Sequence, residues 1–239
     1  LQLVYDGTNE NYEMIRSLKI GSALEVTGVL KESTGKGQDV ELEIQKVQLL
    51  GDCPDDYPLQ PKPHSREFLR SIAYLRPRAN IFQAVFRIRS LAAMAIHEYF
   101  QDHGYIYLNA PLITGSDCEG AGEMFQVTTL PLEKLKGDVD YKKDFFGKKA
   151  GLTVSGQLQA ETFAMAFSKV YTFGPTFRAE DSNTKTHAAE FWMIEPEVAF
   201  CDLEGIMDIQ EEMLKYIVSY VLEKGKTELE FLDRFCENG

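Results

Sequence analysis

The segment that most constrains this fold is residues 171–200, YTFGPTFRAEDSNTKTHAAEFWMIEPEVAF. Its two arms, residues 171–180 and 191–200, each alternate apolar with other residues at the period of a β-strand. A polar run, residues 181–187, lies between them. The pattern predicts an antiparallel hairpin with a long loop.

One side of this hairpin carries charged residues. Arg178 and Glu180 lie two positions apart on the first arm. Phe191, Glu195 and Glu197 share one parity of the second arm. A lone arginine and glutamate at this spacing most often form a surface ion pair. Together, however, these residues would suit a site for a nucleotide and an amino acid. The arginine can bind phosphate oxygens, the acids an ammonium group and the aromatic ring a nucleobase.

The same strings resemble a known family. Residues 177–180, FRAE, and residues 190–197, EFWMIEPE, closely resemble the second signature motif of class II aminoacyl-tRNA synthetases, in the form found in asparaginyl-tRNA synthetases. The resemblance implies that ATP is a substrate and that Glu195 binds the ammonium group of the amino acid. The ATP contacts that it implies are the α-phosphate for Arg178, the adenine side for Glu180, the adenine face for Phe191 and the terminal phosphates for His187.

The phosphate contacts of the hairpin loop depart from the family pattern at one point. Thr186, preceded by Lys185, stands where family members often have arginine.

A glycine-containing segment, residues 116–125, SDCEGAGEMF, precedes the hairpin. Glycines permit the movement that a loop closing over a ligand needs, although a plain surface turn has the same composition. The EGAGEMF string resembles the flipping loop of aspartyl- and asparaginyl-type synthetases. The resemblance implies that Glu119 helps to bind the ammonium group.

Residues 153–161, TVSGQLQAE, are predicted to run from a strand into a helix. Gln157 and Glu161 are four positions apart, so they point the same way on that helix, where a solvated face fits the spacing equally well. The resemblance implies an amino-acid pocket that includes Ser155 and Gln157. Aspartyl enzymes have a lysine where this chain has Ala160, whereas an acid at Glu161 would repel aspartate and accept an N–H from the amide of asparagine.

The rest of the chain supplies the scaffold. Residues 1–50 are predicted to be β throughout, and the resemblance implies the latter part of an anticodon-binding OB-fold; a β-module that binds nothing is the alternative. A helix over residues 80–103, ended by Gly104, and a strand over residues 105–109 resemble the first motif, which implies a homodimer. A second long helix is predicted to begin after Asp202 and to end at Gly225. Residues 130–149 are predicted to form an exposed insertion, and residues 227–239 give no usable pattern.

Composition limits the class of protein. With 239 residues, 44% of them apolar, the chain has the composition of an ordinary globular protein rather than a disordered one. Its net charge of −12 excludes coating of nucleic acid by bulk attraction, so an RNA partner would need local patches. The four cysteines have no CxxC spacing, which favours thiols in a reducing cytosol. No apolar run is long enough to span a membrane, and a cytoplasmic protein is predicted.

These observations predict an α+β protein in three parts: a partial OB-fold over residues 1–51, a linker over residues 52–78, and a partial class II catalytic domain on an antiparallel sheet over residues 79–239. Only the latter part of an OB-fold is represented, and the third family motif is not found. The chain is therefore expected to be incomplete at both ends. The implied activity is that of an asparagine–tRNA ligase using ATP, Mg²⁺, asparagine and tRNA(Asn). The alternatives are an aspartyl-tRNA synthetase, an asparagine synthetase of the same fold, and an inactive paralogue that binds or regulates.

Overall fold

The computed structural model describes residues 1–35, 38–118, 120, 123–134, 136–182, 184 and 186–235. The chain divides into two compact units, Leu1–Phe82 and Gln83–Gly239. The first unit contains β1 (Gln2–Val4), α1 (Tyr12–Ser17), β2 (Ala23–Glu32), β3 (Val40–Gly51), α2 (Arg66–Ser71) and a 3₁₀ turn (Arg76–Arg78). Then come α3 (Asn80–Asp102), β4 (Ile106–Tyr107), β5 (Ile113–Thr114), β6 (Gln126–Val127), β7 (Ala150–Leu152), α4 (Gln157–Phe167), β8 (Lys169–Phe177), β9 (Glu190–Val198), α5 (Leu203–Lys224) and α6 (Lys226–Phe235).

The first unit is built on a three-stranded sheet with the order β1-β3-β2. The three predicted strands are confirmed, with β1 parallel and β2 antiparallel to β3. The expectation of β-structure throughout residues 1–50 is wrong at α1. Residues 12–17 do not alternate, and Glu13, Met14 and Arg16 are good helix formers, so one local turn and a half of helix forms there.

The second unit is organised around a sheet with the order β4-β8-β9. Strands β8 and β9 pair antiparallel without a register shift from Lys169 opposite Val198 to Phe177 opposite Glu190, which confirms the hairpin. The sheet itself is mixed rather than antiparallel, because β4 runs parallel to β8. The predicted strand over residues 105–109 is only two residues long, since the chain turns toward β5 after Leu108 donates its backbone N–H to Tyr171 O.

Helix α3 fixes the start of β8 through a buried aromatic cluster. Tyr171 is fully buried and stacks on Phe100, with ring centroids 4.5 Å apart. His97 Nδ1 lies 2.8 Å from Tyr171 Oη. Gly104, with a φ of +76°, ends this helical segment as the sequence predicted. These contacts fix the start of the hairpin against α3.

A smaller antiparallel sheet, with the order β5-β7-β6, leads into α4. Thr153, directly after β7, donates its N–H to Leu112 O and accepts from Phe177 N at 2.9 Å. These two bonds hold the segment before α4 against the end of β8.

The two C-terminal helices follow the hairpin. The Asp202 side chain accepts a hydrogen bond from Gly205 N and α5 ends at Gly225, as predicted. Helix α6 begins at once, in a segment for which no secondary structure was predicted. None of the helices in the described part of the chain is long and apolar enough to cross a membrane.

Candidate active site

The charged residues of the hairpin lie on one face of it. Directly opposed residues of an antiparallel pair point to the same side. In the observed register Thr172 faces Glu195, and Thr176 faces Phe191. Arg178 N donates to Ala189 O at 3.0 Å, which extends the pairing beyond β8 and keeps Arg178 on that side. The face that the sequence predicted is therefore formed.

At the loop end of this face is a cavity of about 400 Å³. All four residues predicted to bind ATP line it, together with residues of the connecting loop: Arg178, Glu180, Ser182, Thr186, His187, Ala188, Ala189 and Phe191. The Arg178 guanidinium carbon lies 5.5 Å from the centroid of the Phe191 ring. Thr184 Oγ1 and His187 Nδ1 are hydrogen-bonded. A cavity of this size, with a cation beside an aromatic ring, can hold a planar ring and a phosphate group.

Toward the core end of the face, the Glu195 carboxylate accepts three hydrogen bonds. Ser155 Oγ donates to Oε2, and Gly156 N (3.0 Å) and Thr172 Oγ1 (3.1 Å) donate to Oε1. Ser155 and Thr172 are buried. Glu195, Gly156 and Thr172 line a second cavity, of about 280 Å³. The acid is thus held rigidly at the edge of a space that a small ligand can enter.

Ser155 joins this acid to the start of α4. Its hydroxyl donates to Glu195 and accepts from Gln157 N at 3.0 Å. A side chain at Gly156 would place a Cβ 2.9 Å from Thr172 Oγ1, closer than such atoms normally approach. Only glycine fits at this junction without displacing Thr172. Ser155, predicted to line the amino-acid pocket, is therefore placed to act on a ligand through Glu195.

Gln157 and Glu161 point to the same side of α4, as their spacing predicted. Gln157 Nε2 donates to Glu161 Oε1 at 2.8 Å. Burial raises the pKa of Glu197, and the charges of Glu161 and Glu195 raise it further. Glu197 is therefore within electrostatic reach of both Glu161 and Glu195, and negative charge gathered in this way favours a bound cation.

Arg178 connects the two ends of the site. Its Nη2 lies 3.5 Å from Val154 O, one residue before Ser155, and 3.9 Å from Met193 Sδ. Ala179 N donates to Glu123 O at 3.0 Å, so the end of the predicted flipping loop is held beside the arginine. Two residues of the sequence-based hypothesis, Glu119 and Lys185, lie outside the described residues.

Comparison with known proteins identifies the family of this chain. Residues 65–237 match the family model of the class II tRNA synthetases (D, K and N). This chain belongs to the class II tRNA synthetases of that group.

Two relatives of this class II synthetase chain are asparagine–tRNA ligases. The chain is 57% identical to the asparagine–tRNA ligase of Desulfitobacterium hafniense strain Y51, over 99% of its length and 52% of the relative. It is 56% identical to the asparagine–tRNA ligase of Clostridium novyi strain NT, over 100% of its length and 52% of the relative. The chain spans about half the length of the curated relatives it matches.

Solved structures give the same fold. The asparaginyl-tRNA synthetase of Pyrococcus horikoshii, in complex with asparaginyl-adenylate, superposes with a TM-score of 0.82 at 28% identity, over 97% of this chain and 51% of that one. A putative aspartyl-tRNA synthetase of Leishmania major superposes with a TM-score of 0.77 at 17% identity, over 99% of this chain and 47% of that one, which shows the fold alone.

Sequence reasoning missed two residues of this synthetase site, Thr172 and Gly156. The hairpin register could have indicated Thr172, since it lies directly opposite Glu195. No pattern around Gly156 indicates that its N–H meets a carboxylate 39 positions later. Within the described ranges, no group of three or more histidine, cysteine, aspartate or glutamate side chains is placed to hold a metal ion.

Proposed function

We propose that the protein is an asparagine–tRNA ligase, which forms asparaginyl-adenylate from asparagine and ATP and then transfers the asparaginyl group to tRNA(Asn). The observation that carries the proposal is the hairpin face on which Glu195, held by three donors, lies in line with Arg178 and Phe191. This face offers an ammonium site and a phosphate site in one continuous arrangement. The names of the relatives and the adenylate bound to the Pyrococcus neighbour support the same activity.

In the first step, a carboxylate oxygen of asparagine attacks the α-phosphorus of ATP. The bond from phosphorus to the bridging oxygen breaks, and pyrophosphate leaves with that electron pair. Arg178 neutralises the α-phosphate oxygens while Phe191 stacks on the adenine ring. Glu180 contacts the adenine side, and His187 contacts the terminal phosphates. Positioning and fixed charges supply most of the rate in such a reaction.

The amino acid is held at the other end of the face. Its ammonium group pairs with Glu195, and Glu119 is proposed to help bind the same group. The side-chain amide meets Gln157 and Glu161, which already share a hydrogen bond. Glu161 accepts an N–H from asparagine, and the side-chain carboxylate of aspartate would be repelled there.

In the second step, a ribose hydroxyl at the end of tRNA attacks the carbonyl carbon of the adenylate, and AMP leaves. The first unit is proposed to be part of an OB-fold that binds the anticodon, with residues 52–78 as a linker. Mg²⁺ would enter with the ATP triphosphate. Since the described residues offer no three-ligand group for this ion, no step is assigned to it. The same proposal includes a homodimer in the cytoplasm.

The test is amino-acid-dependent exchange of labelled pyrophosphate into ATP, measured on the complete protein without tRNA. Exchange that requires asparagine is expected. Exchange driven by aspartate instead would make the protein an aspartyl enzyme. If neither amino acid supports exchange, an inactive paralogue is left, whereas asparagine formed from aspartate and ammonia would identify an asparagine synthetase.

A further inference from the structure

A short loop of the insertion, residues 141–149, carries exposed lysines around exposed aromatic rings. We call it the Lys–Phe loop. Its nine residues, YKKDFFGKK, contain four lysines and one acid in a chain whose net charge is −12. All four lysines are exposed: Lys142, Lys143, Lys148 and Lys149. Phe145 is 75% exposed and Phe146 is 46% exposed.

The only acid of the loop is turned inward. Asp144 is buried, and it accepts hydrogen bonds from Thr129 N (2.9 Å), Thr129 Oγ1 (3.0 Å) and Phe145 N (2.8 Å). The nearby Thr128 hydroxyl, followed by the amide N–H of Thr129, lowers the pKa of Asp144 to about 2. The carboxylate therefore anchors the loop, while the lysines stay at the surface.

The anchor also fixes the two rings in an outward position. Gly147 N donates to Asp144 O at 3.0 Å, and Gly147 has a φ of +63°, which closes a tight turn directly after the rings. Phe145 and Phe146 meet edge to face, with centroids 4.8 Å apart. Two exposed rings on an anchored turn form a surface that is ordered before a ligand binds.

The chemistry of this surface fits a single-stranded nucleic acid. Lysines neutralise phosphates, and exposed rings stack on unpaired bases, a combination typical of proteins that bind single strands. Lys143 has an ion pair with Asp140 at 3.6 Å, but both side chains are exposed, so the pair is weak and exchangeable. An inorganic anion would leave the rings unused, and an apolar peptide would leave the lysines unpaired.

The loop lies next to the candidate active site along the chain. It runs directly into β7, after which Thr153, Ser155 and Gly156 meet the end of β8 and Glu195. Val154 lies five positions after Lys149, a span of at most about 18 Å when fully extended. One RNA strand could therefore contact the loop and place its end at the site.

We propose that the Lys–Phe loop binds the unpaired 3′ end of the tRNA, with Phe145 and Phe146 stacked on its bases and the four lysines on its phosphates. The inference rests on the proposed function, because it takes tRNA as the second substrate. It adds an RNA-binding surface outside the ATP and amino-acid cavities.

The test compares two forms of one tRNA, one intact and one lacking its unpaired 3′ nucleotides, by equilibrium binding to the complete protein. Wild-type protein is expected to bind the intact form more tightly. The Phe145→Ala/Phe146→Ala variant should lose that difference, binding intact tRNA roughly 5- to 100-fold more weakly and trimmed tRNA as the wild type does. The matched control is Phe200→Ala/Phe235→Ala, which removes two phenylalanines that are exposed elsewhere.

A second variant, Lys142→Gln/Lys143→Gln, reports on the phosphates. It should make the slope of log affinity against log salt concentration shallower by about 1.4, the effect of two contacts with a single strand. Lys215→Gln/Lys226→Gln, with the same charge change on exposed lysines of α5 and α6, should leave the slope unchanged. Equal slopes for the two lysine variants would contradict the proposal.

Other outcomes separate this inference from the proposed function. If the phenylalanine variant binds both RNA forms like the wild type, or weakens both equally, the loop does not hold the 3′ end. A changed oligomeric state with unchanged RNA binding would make it a protein interface and overturn the inference. Exchange of pyrophosphate without tRNA should be unaffected by the variant. If the wild type shows no pyrophosphate exchange, the proposed ligase activity is refuted. The comparison of RNA binding still tests the loop in that case.

Discussion

Thr172 Oγ1 donates a 3.1 Å hydrogen bond to Glu195 Oε1, and the two residues lie directly opposite each other in the hairpin. The bond forms only in this register, because a slip of one residue would move Glu195 to the other face. One side-chain contact thus links strand pairing to the proposed ammonium site at Glu195.

Replacing Thr172 by valine should weaken asparagine binding. Thr172 is buried, and valine keeps its shape while removing one of the three donors to Glu195. A hydrogen bond to a charged group is typically worth about 1.5–3 kcal/mol, so the KM for asparagine should rise about tenfold or more while the KM for ATP changes little. Thr172→Ser keeps the hydroxyl and should restore most of the affinity. A parallel rise in both KM values would show general damage to the hairpin instead.

Arg178→Ala should slow adenylate formation by roughly a hundredfold or more, because it removes a fixed charge at a developing anion. Pyrophosphate exchange at saturating substrates measures this. Arg89→Ala, at an exposed position of α3, is the matched control and should retain the wild-type rate. An unchanged rate in Arg178→Ala would mean that the arginine only packs against Phe191.

Glu161→Gln should reduce the preference for asparagine over aspartate. The variant loses the negative charge that repels aspartate, while its amide can still contact Gln157. The ratio of kcat/KM values for the two amino acids, from exchange assays, gives the discrimination, and a decrease of about tenfold or more is expected. Glu230→Gln, at an exposed site on α6, should leave the ratio unchanged. An unaltered ratio in Glu161→Gln would remove Glu161 from this role.

Glu197→Gln should stabilise the protein at neutral pH. Because the pKa of Glu197 is raised in the folded protein, chiefly by burial, folding becomes less favourable as pH rises through that raised value. At pH 7 the variant should therefore melt at a higher temperature than the wild type. The difference should shrink as pH falls to the usual pKa of 4.5 and below, where the wild-type carboxyl is protonated in both states. A gain that is the same at pH 4 and pH 7 would point to packing rather than charge.

The complete protein should form a two-fold symmetric homodimer through α3 and β4. Met94 of α3 is 56% exposed and Ile106 of β4 is 46% exposed, which leaves apolar side chains for a partner to cover. Light scattering should give twice the monomer mass, and Ile106→Arg should shift the protein toward the monomer. Met165→Arg, which alters an exposed apolar residue of α4, should not. A monomeric wild type would contradict this interpretation.

The elements with strong local signals were predictable from the sequence. The alternation in residues 171–200 fixed the hairpin, and Gly104, Asp202 and Gly225 marked helix ends by their backbone and capping chemistry. Helix α6 was not predicted from residues 227–239, although the spacing of Leu229 and Leu232 could have indicated a second helix. The six-residue α1 is too short for its periodicity to be read.

The site was predictable only in part. The spacing of Gln157 and Glu161 on one helix places them together, since four residues make about one turn. The contact between Ser155 and Glu195 joins positions 40 residues apart and depends on how the segment between β7 and α4 packs against the end of β8, which no local pattern encodes. The same is true of Asp144. Thr128 and Thr129, which lie beside it in the structure, directly precede the insertion, whose sequence showed no signal other than its composition.

The lack of a side chain at Gly156 limits how the proposed amino-acid site can be redesigned. A methyl group there would lie 2.9 Å from Thr172 Oγ1 and would disturb the three hydrogen bonds that hold Glu195. Attempts to change the amino acid that the proposed site accepts therefore have most freedom at Gln157 and Glu161, the first residue of α4 and the residue one turn further on. In a library that also randomises residue 156, most variants would carry a side chain that displaces Thr172. The proposed ammonium site at Glu195 would then be lost whatever residues stand at 157 and 161.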